Sequence, residues 1–226
     1  MKTQQFRARC SSLGKIFTNP RSKTESISET TKTYLEEWML ETKFNIRKEI
    51  SSKYLEKGLQ MEDTAIQEYS TLFNVKCFKN EEWFENDYIT GTPDLILENK
   101  IVDIKNSFSL FTFPMFDTEL KNKAYEYQLQ GYMYLCDKTE AEIAYFLLNS
   151  PEGIILSEAK SIMYKEGLGA DWLDILVEEV RANHNYDHIP MEDRCKIFKI
   201  ERDEKIISEI KDRVENCREY VKQFGY

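Results

Sequence analysis

Residues 94–105, DLILENKIVDIK, hold two short runs of Ile, Leu and Val separated by Glu98, Asn99 and Lys100. Runs this short and this rich in branched residues read as strands, and three connecting residues suit a hairpin. Side chains alternate along a strand, so Asp103 and Lys105 share one face with Ile101. Val102 and Ile104 point the other way, into a core. Asp94, at the start of the first strand, comes level with them if the register allows. Charge inside a sheet is expensive unless it is paired or bound to an ion. The partner of these three charges is therefore the question that the rest of the chain must answer.

The flanking patterns give an element order. Residues 11–14, SSLG, can cap a short first helix, and residues 31–50 have apolar positions near helical spacing. Residues 59–73 read as a helix with Ile66, Tyr69 and Phe73 on one stripe. Four short strands follow at 75–78, 83–89, 94–97 and 101–105, separated by turn signals. Residues 119–136 return to helix, and 141–149 is the best candidate for a central strand. PEG at 151–153 reads as a turn, with 154–157 continuing as strand. A helix over 170–182, a strand over 195–200 and a last helix over 202–223 complete the chain. Helices before and after a run of strands predict an α/β domain with a central mixed sheet flanked by helices. No repeat or Pro/Gly-rich linker divides the 226 residues, so one domain is expected. Within it we expect an N-terminal helical segment (1–56), a core (57–160) and C-terminal helices with a strand (161–226).

Composition narrows the partners. The chain carries a net charge of −9, yet residues 1–53 hold 11 Lys and Arg against 6 Asp and Glu. A basic first quarter on an acidic body fits a local anion site, and equally a solvated helix. Five scattered cysteines without CxxC, with only two histidines, argue against structural zinc and a disulfide framework. No signal peptide and no membrane span is legible, so a cytoplasmic protein is expected.

Two aspartates and a lysine on one patch have a ready chemical use. Hard oxygen ligands suit Mg²⁺, with Mn²⁺ as a substitute, and such ions pair naturally with phosphate. The lysine can then position a water or stabilise charge on a phosphate oxygen. Taken alone, these residues read more readily as a salt bridge between Asp94 or Asp103 and Lys105.

Pro93-Asp94 followed by Asp103-Ile104-Lys105 resembles the signature of the PD-(D/E)xK nucleases, which have a restriction-endonuclease-like core. Upstream, KGLQMEDTAIQEY (57–69) is similar to the acidic helix of the RecB-like and phage exonuclease branches, with Glu62 at its acidic position. Downstream, YEYQLQGYMYL (125–135) resembles their glutamine helix, with Gln128, Gln130 and Tyr132 in the QxQ form of phage-type, lambda exonuclease-like (YqaJ-like) enzymes. The order Glu62, Asp94, Asp103, Lys105, Gln128 matches the family order. Asp103 stands where many relatives have Glu, which the family also accepts.

The resemblance implies a Mg²⁺-dependent deoxyribonuclease that hydrolyses phosphodiester bonds of linear duplex DNA from its ends, 5′ to 3′. The strand left behind would pass to a single-strand annealing protein in recombination. It implies Glu62, Asp94, Asp103 and the Ile104 carbonyl as metal ligands, Lys105 at the attacking water and Gln128 assisting. Arg9, Ser11 and Ser12, ahead of a helix, resemble the phosphate-holding segment of phage exonucleases, with Gln130 and Tyr132 also toward DNA. A homo-trimer is a further implication. Two other readings remain: a RecB-like endonuclease in restriction, repair or CRISPR adaptation, and an inactive DNA-binding module. The apolar stretch FSLFTFPMF (108–116) can line a DNA channel, wedge a duplex end, or form a buried connection or subunit contact. In the last helix, Ile200, Ile207, Ile210, Val214, Cys217 and Val221 follow a heptad-like seam, better suited to packing on its own domain than to a coiled coil. Three widely spaced cysteines after the core are too few for the iron–sulfur cluster of some RecB-like nucleases.

Overall fold

A computed structural model describes residues 5–49 and 52–226. The hairpin forms as the sequence predicts. β4 (Leu95–Ile96) pairs antiparallel with β5 (Lys100–Asn106), Leu95 opposite Val102 and Ile96 opposite Ile101. β5 then pairs in parallel with β6 (Glu140–Phe146), and β6 antiparallel with β7 (Cys195–Glu201). The result is a mixed four-stranded sheet in the order β4-β5-β6-β7. A parallel pair needs a crossover, and α4 (Lys123–Cys136) supplies it.

Both faces of this sheet are covered. α4 packs on the face of Ile101 and Ile143, within the larger core. α3 (Lys53–Leu72) packs on the face of Val102, Ile104, Ala144 and Phe146, presenting Ala65, Ile66 and Tyr69. Three short strands form a second sheet, β1 (Ala8–Arg9), β3 (Ile89–Gly91) and β2 (Phe84–Glu85), in the order β1-β3-β2. A Cβ added at Gly131 would lie 2.7 Å from Leu13 Cδ1, so glycine lets α1 (Leu13–Ile16) sit directly on α4.

Several expectations shift. Residues 154–157 are not strand; they belong to α5 (Glu152–Glu166). Three consecutive apolar residues, Ile154 to Leu156, fit either period, but Ile155, Ala159 and Met163 recur every four residues and bury against α6 (Leu173–Asn183). Pro151 is the N-cap of this helix, and Gly167 closes it in the left-handed conformation. Residues 75–78 form no strand. The 83–89 segment is split into β2 and β3 because Asn86 Oδ1 accepts from the Tyr88 and Ile89 amides, closing a turn. The helix expected over 31–50 is α2 (Glu29–Phe44); it starts on the Ser28 cap and stops at Asn45, left-handed with φ 54°. Ile50 lies outside the described residues. The seam of α7 (Glu204–Lys222) packs into the larger core of the same chain, while Ile200, expected on this helix, lies on β7. Among the described residues, no helix is long and apolar enough to cross a membrane.

Candidate active site

The sheet opens where β4 ends. Beyond Val102 the outer edge of β5 has no strand partner, and Asp94 takes its place: its Oδ2 accepts from the Ile104 amide at 2.7 Å. The N–H and C=O of one strand residue point to the same edge, so the Ile104 carbonyl faces the Asp94 side. Here a cleft of about 490 Å³ lies between α3 and the start of α4. Glu62, Asp94, Ile104, Lys105 and Tyr125 line it.

Asp103 sits behind the cleft, buried between β5 and α4. Its Oδ1 accepts from Gln128 Nε2 at 2.8 Å. Its Oδ2 meets the Lys105 ammonium as an ion pair. Gln128 reaches it because α4 crosses the sheet on the odd-numbered face of β5. Gln128 also donates to Tyr132 Oη at 3.2 Å, one turn on.

Two carboxylates and one ammonium leave a local excess of negative charge. Burial, and then the neighbouring Asp103, push the Asp94 carboxyl up to about 7. Burial works against the charge of Lys105, but Asp103 and Asp94 outweigh it, and its pKa stands above the ordinary lysine range. Lys105 is therefore a firm cation, its Nζ 4.9 Å from the Tyr125 ring centroid.

Most of the other expected site residues are engaged by partners of their own. Glu62 lines the cleft, but its carboxylate is 3.2 Å from Lys79 Nζ. Among the described residues, no three His, Cys, Asp or Glu side chains form a ready cluster for a metal ion. Gln130 is not turned toward a ligand. It is buried, donating to Glu201 O at 2.8 Å and accepting from the Asp203 amide at 2.9 Å, which ties α4 to the start of α7. Tyr132 is buried too; a Cβ at Gly91 would lie 2.8 Å from its ring, so glycine makes room for it under β3. Arg9 pairs with Glu41 at 2.6 Å and lines a separate groove with Arg7, Arg47 and Trp83. Ser11 and Ser12 lie in a 3₁₀ turn before α1, and Ser12 makes no side-chain cap.

A phage-related exonuclease from Haemophilus somnus 129PT has this architecture, with a TM-score of 0.78 and 30% identity over 98% of this chain and 96% of that one. The chain belongs to the phage-type exonucleases. An alkaline exonuclease from Laribacter hongkongensis shares the fold at 14% identity and a TM-score of 0.66, over 97% of this chain and 93% of that one. Its complex with dAMP matches at 15% identity and a TM-score of 0.65, with the same coverage. No family model matches, and no curated protein matches either. Sequence reasoning missed two residues at the site of this phage-type exonuclease. Tyr125, three residues before Gln128, was within reach of helical spacing. Lys79, the partner of Glu62, follows a loop and gave no local signal.

Proposed function

We propose that this exonuclease is Mg²⁺-dependent and digests one strand of linear duplex DNA from the 5′ end. The observation that carries the metal is the pair Asp94 and Asp103: two carboxylates around one ammonium, the Asp94 carboxyl pushed up by burial and by Asp103. Mg²⁺ is usually held by one or two carboxylates with waters and substrate phosphate, and needs no all-protein cage. Asp94, Asp103 and the Ile104 carbonyl would hold it, with Glu62 at the rim of the cleft. When bound, the ion supplies an activated water and offsets charge on a phosphate oxygen.

The side chains then have distinct tasks. Lys105, a stable cation at the cleft wall, orients the attacking water and stabilises charge growing on phosphorus oxygens. Gln128 fixes the Asp103 carboxylate so that its Oδ2 points toward Lys105. Asp94 holds the unpaired edge of β5 in place through the Ile104 amide. Duplex DNA as substrate and 5′ polarity are supported by membership of the phage-type exonucleases, and a nucleotide ligand by the dAMP bound to the similar alkaline exonuclease. Release of a single strand to an annealing protein, and assembly as a trimer, complete this reading.

Linear duplexes labelled at either end, and closed circular duplex, test it with and without Mg²⁺. We expect Mg²⁺-dependent release of nucleotides from the 5′-labelled end and an intact circle. Efficient cutting of the circle would overturn the exonuclease reading in favour of an endonuclease.

A further inference from the structure

The connection between β5 and α4 starts and ends in the cleft wall: Lys105 and Asn106 precede it, and Tyr125 follows it. Its tip is fastened on both sides. Phe108 packs on Tyr54, itself a cleft residue, with ring centroids 4.6 Å apart. The Phe108 carbonyl accepts from buried Lys57 at 2.9 Å. Phe113 is buried against Leu147 and Tyr186. Between them, Ser109 and Thr112 close a 3₁₀ turn over Leu110–Thr112, the Ser109 amide donating to Thr112 Oγ1 at 3.0 Å.

One ring in solvent lies within this frame and a second lies three residues beyond Phe113. Phe111 is 97% exposed and Phe116 89%, the most exposed large apolar side chains among the described residues. A single exposed apolar residue needs no explanation. Two phenylalanines on a loop fastened to the cleft residue Tyr54 are different, because that anchor has already met part of the ordering cost of binding. The apolar surfaces that nucleic acid presents are base faces. A second copy of the chain would ask for roughly 800 Å² per partner with a packed centre. Here polar Thr112 follows one ring and acidic Asp117 the other.

We propose that Phe111 and Phe116 form a stacking platform for unpaired bases of the strand whose backbone occupies the cleft. This rests on the exonuclease reading above. The test compares Phe111→Ala, Phe116→Ala and Phe111→Trp with the unchanged protein. The probes are linear duplexes with short unpaired ends carrying 2-aminopurine, and bis(p-nitrophenyl) phosphate, which has no base. Each alanine variant should raise KM for the duplex about tenfold, with kcat within about twofold, and should lose the quenching of 2-aminopurine. Phe111→Trp should keep both. Hydrolysis of the baseless diester and the particle mass by light scattering should be unchanged. An unchanged KM, or a fall in particle mass, would overturn the platform; the second would assign the rings to contacts between copies. If the unchanged protein hydrolyses neither DNA nor the diester, the nuclease reading itself fails. If it digests DNA and the alanine variants match it, only the platform fails.

Discussion

The two ends of β5 use the same residue types to opposite effect. At its start, Lys100 pairs with Glu142 of β6 at 2.8 Å, and the other carboxylate oxygen of Glu142 accepts from Tyr69 Oη at 2.8 Å. One cation, one anion and one neutral donor close on themselves in a buried, balanced group. At its far end, Asp94 and Asp103 share one lysine. The first group faces α3 and the second faces α4 and the cleft. A structural ion pair neutralises itself, whereas a site keeps an excess of charge beside an opening. Strand position and residue type alone do not separate the two; the count of acids against bases does.

Substitutions at the two ends should therefore separate stability from activity. Asp103→Asn keeps the shape and the Gln128 contact but removes the excess charge. DNA digestion should fall by at least about 10³-fold, as for loss of a group that places charge at a reacting centre. Its melting temperature should hold or rise, because repulsion with Asp94 is relieved. Glu142→Gln should do the reverse. It leaves Lys100 without its counter-charge and should lower stability by about 3 kcal/mol in urea unfolding. Digestion well below the melting temperature should stay within about twofold. A large activity loss from Glu142→Gln would erase the distinction between the two ends.

What could be read from the sequence follows the same division. The β4–β5 hairpin was legible because its turn and its alternation are local, and alternation alone put Asp103 and Lys105 on one face. The helices bearing Glu62 and Gln128 were legible from period and capping. What escaped depended on distant segments. Glu62 meets Lys79, which lies beyond the end of α3. The resemblance to the QxQ form points Gln130 toward DNA, but the chain bends back at Glu201–Asp203 and takes both ends of its amide. Residues 154–157 were ambiguous in period, and only their packing on α6 decides for helix. In 108–116, composition could not separate Phe113, which is buried, from Phe111 and Phe116, which are not.

A third lysine sharpens the contrast because it has no acid at all. Lys57 is fully buried, and its ammonium donates only to the Phe108 and Leu148 carbonyls, at 2.9 and 2.8 Å. Burial lowers its pKa from 10.5 to about 8, opposite to the direction of Lys105. The native state thus releases this proton near pH 8, while the unfolded chain holds it until about 10.5. Between those values the unfolded state binds more protons, so stability rises with pH, by roughly 3 kcal/mol across the window. Lys57→Met removes that rise and leaves two carbonyls unpaired, each costing about 1–3 kcal/mol. At pH 7 the relief of the buried charge offsets part of that cost. Urea unfolding of both proteins should therefore show a modest deficit for Lys57→Met at pH 7 that widens by about 2–3 kcal/mol at pH 10. A deficit independent of pH would mean that an anion compensates Lys57 after all, and the three lysines would no longer divide into balanced, acid-rich and acid-free.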